Sequence, residues 1–395
     1  MSHDALNIEG VKQEPALLQK HAKFFVRFLN LLPARLASHD STRGTIAFFA
    51  VCGLDVLNSL PLLTKEMQKD VIEWIYGGLV TSNLEKQPNC SGFQGSRCVN
   101  IISADEQLQA NVKIYQWGHL AMTYTGIGIL ATLGDDLSRI NRKSIVDGVA
   151  AVQRPDGSFS ACVDGSENDM RFVFCAAAIC HMLDYWGNVD KEKMFEFITS
   201  CIRYDNGFSQ YLEGEAHGGT TFCALAALEL SGQLHRLDVT TIENIKRWLI
   251  FRQVNGFQGR PNKAVDTCYS FWIGAALRIL GAFELIDYEE NRAYIMETQD
   301  SIVGGFSKWP QSTTDPFHTY FGLCGLSFMN EPGLSAVMPS LNISMRAYNR
   351  LKQLHAQWQV ESTDDRFVSS NKSASSKLNS DENSTSVTSP LIEAQ

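Results

Sequence analysis

The chain has 395 residues, 44% hydrophobic and 19% charged, enough for one large domain or two ordinary ones. A net charge of −9 and a pI near 5.5 argue against a general nucleic-acid or membrane-surface binder, so any anion site must be a local cationic pocket. The polar start lacks the apolar core of a signal peptide, and no apolar run reaches the roughly 20 residues that span a bilayer. Of the ten cysteines, Cys175, Cys180, Cys223 and Cys324 lie in apolar segments of helical period, and no CxxC pair exists. Reduced, buried thiols in a cytoplasmic protein are the reading that fits.

Residues 1–44 read as a lead-in with one amphipathic helix, Leu17 to Leu32, before Pro33. From Thr45 a repeat sets in. Gly-Phe loop marks place phenylalanines at 93, 159, 208, 257 and 306. The last three intervals are 49 residues; the first is 66, so about 17 residues are inserted there, near Ser96–Asn111. A period near 50 signals a repeat architecture.

Each repeat carries two segments of helical length. One is rich in small and apolar residues and predicts helices buried on both faces, at Thr45–Leu60, Gly118–Leu133, Asp169–Leu183, His217–Leu230, Asp266–Leu280 and Asp315–Met329. The other has a single apolar stripe, at Glu66–Tyr76, Ile140–Val152, Lys191–Cys201, Thr241–Phe251 and Tyr288–Glu297. Inner helices ringed by outer ones make an all-α, α/α barrel over residues 45–358, open at its centre; β alternation is nowhere sustained. Residues 359–395 are Ser/Asn/Asp/Thr-rich and predict a disordered tail.

The stretch NGFQGRPNKAVDTCYSFW, Asn255 to Trp272, concentrates the chemistry. Arg260 and Lys263 place two cations on one loop. Asp266 and Cys268 follow at the start of a helix. Two residues apart on a regular helix, side chains point about 200° away from each other. At a loop-to-helix junction both can face one ion, since an N-cap residue has non-helical dihedrals. The alternative is a capping Asp followed by a buried Cys.

The repeat brings in distant residues. Asp266 lies 49 after His217 and 49 before Asp315, and His318 lies 49 after Tyr269. Neighbouring helices stand roughly 8–10 Å apart, so Asp266, Cys268 and His318 can converge as a three-ligand zinc set with one open position. Three unrelated polar residues at helix starts are the alternative. His217-Gly218-Gly219 opens the preceding inner helix, where the helix N-terminus and close backbone approach suit an anion. With Tyr269, Arg260 and Lys263 it makes a site suited to diphosphate, or else a solvated loop. Aromatics at inner positions, Phe174, Phe222, Phe271, Trp272 and Tyr320, are core or ligand wall.

VDTCYSFW, DPFHTYFG, HGGTTFC and GRPNK, at this spacing, resemble the β subunits of protein prenyltransferases, over about Thr45 to Ser327. The resemblance implies zinc on Asp266, Cys268 and His318, diphosphate on His217, Gly218, Gly219, Arg260, Lys263 and Tyr269, and an isoprenoid wall with Phe271 and Trp272. Glu167, Asp169 and Arg171 in SENDMRF, with His119, resemble the region near the acceptor peptide's carboxylate. Thr45, where farnesyltransferases carry a Trp, and Lys308 in GGFSKWP, where they carry a magnesium-binding Asp, point within the family to geranylgeranyltransferase type I. That kind implies zinc without a magnesium requirement, and a catalytic role for Lys308. It also implies an obligate α subunit, geranylgeranyl diphosphate, and CaaX acceptors (CaaL preferred) such as Rho/Rac-type small GTPases. Farnesyltransferase and Rab-type β subunits are the same-family alternatives. A terpene cyclase would need a motif such as DDxxD, which Asp135-Asp136 does not supply, and a helical-repeat scaffold is the non-enzymatic alternative.

Overall fold

The computed structural model describes residues 17–84, 87–96, 117–163 and 165–360. Most of the expected insertion, 97–116, and nearly all of the Ser-rich tail, 361–395, lie outside the described residues. The chain divides into two units, Met1–Arg350 and Leu351–Gln395. In the second, residues 351–360 are helical. The first contains a ring of paired helices.

Among the described residues the predicted inner helices appear in order as α2 (Arg43–Val56), α4 (Leu120–Thr132), α6 (Met170–Met182), α8 (Gly218–Leu230), α10 (Tyr269–Ile279) and α12 (Pro316–Phe328). Each packs on the next, and α12 packs back on α2, which closes the ring. The outer helices are α3 (Lys65–Tyr76), α5 (Arg142–Ala151), α7 (Lys191–Ser200), α9 (Val239–Ile250) and α11 (Tyr288–Glu297). Each Gly-Phe mark sits at a turn whose phenylalanine is buried: Phe93, Phe159, Phe208, Phe257 and Phe306 are at most 1% exposed. The expectation of no sustained β structure fails at one place. Strands β1 (Leu79–Leu84) and β2 (Gln87–Phe93) form an antiparallel hairpin whose polar sequence carries no apolar alternation.

The N-terminal helix, α1 (Leu18–Asn30), takes the place of a sixth outer helix. Gln253 hydrogen-bonds both the N–H and the carbonyl of Asp287, the cap of α11. Gln299, one repeat on, accepts instead from Leu17 N–H, the cap of α1, at 2.9 Å. The lead-in thus completes the ring. Gly304 has φ +78°, and a Cβ there would stand 2.5 Å from the Lys20 carbonyl oxygen, so only glycine allows α1 this approach.

A repeated hydrogen bond locks each inner helix to the turn of the following repeat. Gly44 N–H donates to Gly95 O, Leu120 to Ala161 O, Met170 to Gln210 O, Gly218 to Gly259 O and Thr267 to Lys308 O, at 2.8–3.0 Å. These N–H groups lie at or beside helix starts, where no intrahelical acceptor exists. The last inner helix opens with Pro316, which has no N–H to place.

An aromatic belt runs round the interior. Ring centroids step from Phe48 to Tyr124 (5.4 Å), Phe174 (5.2 Å), Phe222 (5.4 Å), Phe271 (5.1 Å) and Phe321 (4.7 Å), and Tyr320 returns to Phe48 (5.9 Å). Beneath it, Tyr124 and Tyr320 donate to the carbonyls of Leu341 and Asn342, in the turn between β3 (Val337–Met338) and β4 (Ile343–Ser344).

His21 on α1 is fully buried, accepts Gly305 N–H at Nδ1 (2.8 Å) and so donates from Nε2 to Gln299 (3.0 Å). Burial lowers its pKa to about 4, against the pull of the Gln299 bond. The unfolded chain therefore takes up a proton between pH 6.5 and 4 that the folded chain refuses. The stability His21 contributes is complete above pH 6.5 and lost as pH falls through that window, about 3 kcal/mol in all. Thermal melts from pH 7 to 4.5 should show the native protein losing more stability than His21→Asn; equal losses would contradict this.

Candidate functional site

The N-cap positions of the inner helices carry the polar side chains that the sequence singles out. His119, Asp169, His217 and Asp315 each accept a backbone N–H of their own helix's first turn. The same capping chemistry thus delivers imidazoles and carboxylates to one end of the ring. There a cavity of about 610 Å³ opens, lined on one side by Trp272, Phe317, Cys223 and Thr220 and on the other by charged groups.

Asp266, Cys268 and His318 meet at its edge. One potential ligand atom from each lies within 4.8 Å of the others. Cys268 precedes α10, and Asp266 accepts its N–H at 2.9 Å, so the pair turns to one side at the loop-to-helix junction. His318 gives Nδ1 to Asp315 at 2.6 Å, which leaves Nε2 facing Asp266 at 3.4 Å. Burial alone would lower the His318 pKa, but hydrogen bonds to Asp266 and Asp315 prevail and raise it to about 9. Burial would likewise raise Asp266, yet its bonds to His318 and Cys268 hold it below the usual carboxylate range. Burial pushes the Cys268 thiol far up, and the Asp266 charge adds to this.

A second cluster lies beside the first. His217 accepts Gly219 N–H at Nδ1 (3.0 Å), so Nε2 carries the proton and donates to Tyr269 Oη at 2.8 Å. The Tyr269 O–H is thereby left to donate elsewhere. Burial and the Arg260 charge lower the His217 pKa. Arg260 is held by Glu215 at 2.6 Å, and Lys308 Nζ stands 3.7 Å from Asp266. Arg171 lines the same cavity, bonded to Asp169, which Gln210 also approaches at 2.7 Å.

Of the predicted residues, Arg171, His217, Gly219, Arg260, Asp266, Cys268, Tyr269, Trp272, Lys308 and His318 share this cavity. Others do not line it. Phe271 precedes Trp272, about 100° round the helix, and is fully buried in the aromatic belt. Lys263 and Glu167 are exposed to solvent, and Gly218 is buried beneath Ile273. His119 faces Phe172 across a ring separation of 5.8 Å in the next sector. Thr45 lies against Met122 at 3.6 Å, one turn before Phe49, whose ring is 5.5 Å from the cavity-lining Phe317. Gln210, Tyr211, Gly214, Glu215, Thr220, Cys223 and Phe317 also line the cavity, and none of them is among the site residues expected from the sequence, although Thr220, Cys223 and Phe317 lie inside the quoted motifs. The period could have found six of them: Tyr211, Gly214, Thr220 and Cys223 lie one repeat before Arg260, Lys263, Tyr269 and Trp272, Phe317 lies one repeat after Cys268, and Gln210 lies two repeats before Lys308.

A ring of helical hairpins with a metal-type triad and a cationic cluster at its mouth defines the class. The family described as "Prenyltransferase alpha-alpha toroid domain" matches residues 17–343, and the chain belongs to it. Two relatives, from Dictyostelium discoideum (39% identical, 83% of this chain and 95% of the relative) and Arabidopsis thaliana (37%, 83% and 89%), are each named geranylgeranyl transferase type-1 subunit beta. Among solved structures, a Candida albicans protein geranylgeranyltransferase-I complexed with GGPP superposes with a TM-score of 0.74. It is 27% identical, covering 86% of this chain and 99% of that one.

A Cβ at Gly259 would stand 2.1 Å from Tyr269 Cζ and 2.3 Å from its hydroxyl. Gly259→Ala should therefore cost about 1–3 kcal/mol of stability. Adding Tyr269→Ala should relieve most of that penalty in a double-mutant melt; simple additivity would show that the two do not meet.

Proposed function

We infer that the chain is the catalytic β subunit of a protein geranylgeranyltransferase type I. It transfers a geranylgeranyl group from geranylgeranyl diphosphate to the cysteine of a C-terminal CaaX motif, preferentially CaaL, and forms a thioether. The observation that carries this reading is the meeting of a three-ligand set with diphosphate-type donors in one aromatic-walled cavity. The names of the relatives point the same way.

Zinc suits Asp266, Cys268 and His318. Tetrahedral ligands about 2.0–2.3 Å from zinc stand about 3.3–3.8 Å apart, so the trio needs to contract by only about 1 Å. The Asp315 bond to Nδ1 is the outer-shell partner that a ligating histidine requires. Zinc held there supplies the acidity that keeps an acceptor thiol, ordinarily of pKa about 8.5, deprotonated at neutral pH.

The chain's other residues serve the leaving group. As the acceptor sulfur attacks C1 of the lipid, the C–O bond breaks and its electron pair departs on the diphosphate. Tyr269, its own proton freed by the His217 bond, donates to that growing charge. Arg260 exchanges Glu215 for a diphosphate oxygen, and Lys308 supplies a fixed cation in place of magnesium. Trp272 and Phe317, 6.5 Å apart, wall the cavity and keep water from the allylic carbon. A small residue at Thr45, one turn before Phe49, is the feature that we read as favouring the longer lipid, although it does not itself line the cavity.

The α subunit of an obligate heterodimer finds apolar contacts at the turns that follow the outer helices. Tyr204, Val254 and Ile302 are 98%, 62% and 86% exposed there. Among the described residues no helix is long and apolar enough to cross a membrane, and a cytoplasmic enzyme fits that.

Metal analysis of the heterodimer tests the reading. One zinc per β chain is expected, and Cys268→Ala should lose both the zinc and lipid transfer to a Cys-a-a-Leu peptide. Normal transfer by that variant would overturn the assignment, and a metal-free native protein without transfer would favour a scaffold.

A further inference from the structure

Thr267 sits between the two metal-type residues Asp266 and Cys268, is fully buried, and does not line the cavity. Its backbone N–H makes one of the five repeated clasps, to Lys308 O at 3.0 Å. Its hydroxyl then does what no side chain does at the other four. It reaches Ser307 O at 2.7 Å and Lys308 O at 3.1 Å, with Thr298 Oγ1 at 3.2 Å. One hydroxyl has one proton. Thr298 Oγ1 spends its own on Ile295 O at 2.7 Å, so toward Thr267 it can only accept; of the three acceptors Ser307 O is nearest and takes the Thr267 proton, with Lys308 O second. The corresponding residues in the other clasps are Gly44, Leu120, Met170 and Gly218, which have no side-chain donor. The doubled clasp therefore falls at the one turn that presents an ammonium to the cavity. Tyr294 reinforces it from the outer helix, donating to Val265 O at 2.8 Å and standing 3.4 Å from Lys308 O.

We propose that Thr267 is a positioning residue that fixes the Lys308 backbone, and so its ammonium, in one frame with Asp266 and Cys268. A lysine side chain is long and its charge is a point, so its placement depends on the anchoring of its backbone. A free turn would let Nζ drift from the position where leaving-group charge develops. The inference rests on the proposed function for the meaning of that position.

The test is a double-mutant cycle on the zinc-loaded heterodimer without magnesium. Thr267→Val keeps the backbone clasp and removes the hydroxyl bonds. It should lower kcat about tenfold, the worth of one well-placed hydrogen bond, with peptide KM and zinc content unchanged. Thr267→Ser should restore the rate. If the valine variant does not fold, Thr267→Ala, which leaves space for water, takes its place. Lys308→Ala should cost on the order of 10²-fold in rate, and Thr267→Val in that background should cost nothing more. Full additivity, or a Thr267→Val enzyme with native kcat, would overturn the proposal while leaving the function intact. A Lys308→Ala enzyme with unchanged transfer would overturn the proposal together with the role given to Lys308, and would leave the transfer reaction standing. Binding of inorganic diphosphate gives a second readout, and it too should weaken about tenfold in Thr267→Val and recover in Thr267→Ser.

Discussion

Every helix begins with N–H groups that have no acceptor within the helix, and this ring is organised around how those groups are satisfied. Side chains at the cap positions take some of them: His119, Asp169, His217 and Asp315. Carbonyls of the next repeat's turn take others through the five clasps. The first device brings ionisable side chains to one end of the ring. The second fixes each turn, with whatever residue it carries, over the start of the preceding inner helix. Gln210, Gly259 and Lys308 hold equivalent clasp positions in three turns, and in those places they face Asp169, cradle Tyr269 and approach Asp266. Structural need and chemical function thus share the same backbone atoms.

The other end of the ring is closed by apolar packing. A belt with at least one aromatic residue from each inner helix seals the interior, and two of its tyrosines hold the turn at 339–342 beneath. Large rings in offset contact contribute more than their buried area alone, which gives the floor rigidity. The cavity above takes its apolar wall from the same helices: Cys223 and Trp272 directly follow belt residues, and Phe317 lies one turn before Phe321. A long apolar ligand with an anionic head fits this polarity, its tail toward the belt and its head among the caps.

Much of this is legible in the sequence because the repeat is strict. An interval of 49 residues between buried phenylalanines places the inner helices to within a few residues, and it sets Asp266, Cys268 and His318 at one mouth. The illegible parts have physical causes. Periodicity tells which helix turn a residue occupies but not which of two neighbouring residues turns inward, so it cannot separate Phe271 from Trp272. Lys263 shares a loop with Arg260, but the intervening Pro261-Asn262 turn, with Asn262 at φ +60°, leaves it in solvent. The closing role of α1 rests on contacts about 280 residues apart in the chain, between Leu17, His21 and Gln299, which no local pattern announces. The β1–β2 hairpin has too polar a sequence to declare itself.

These caps, this triad and Lys308 are proposed to serve transfer of a twenty-carbon lipid without magnesium. The most direct measurement offers farnesyl and geranylgeranyl diphosphate in equal amounts to the chain assembled with a prenyltransferase α subunit, with zinc, no magnesium and a Cys-a-a-Leu peptide. The product should carry mainly geranylgeranyl. A mainly farnesylated product, or transfer that appears only when magnesium is added, would contradict the proposal.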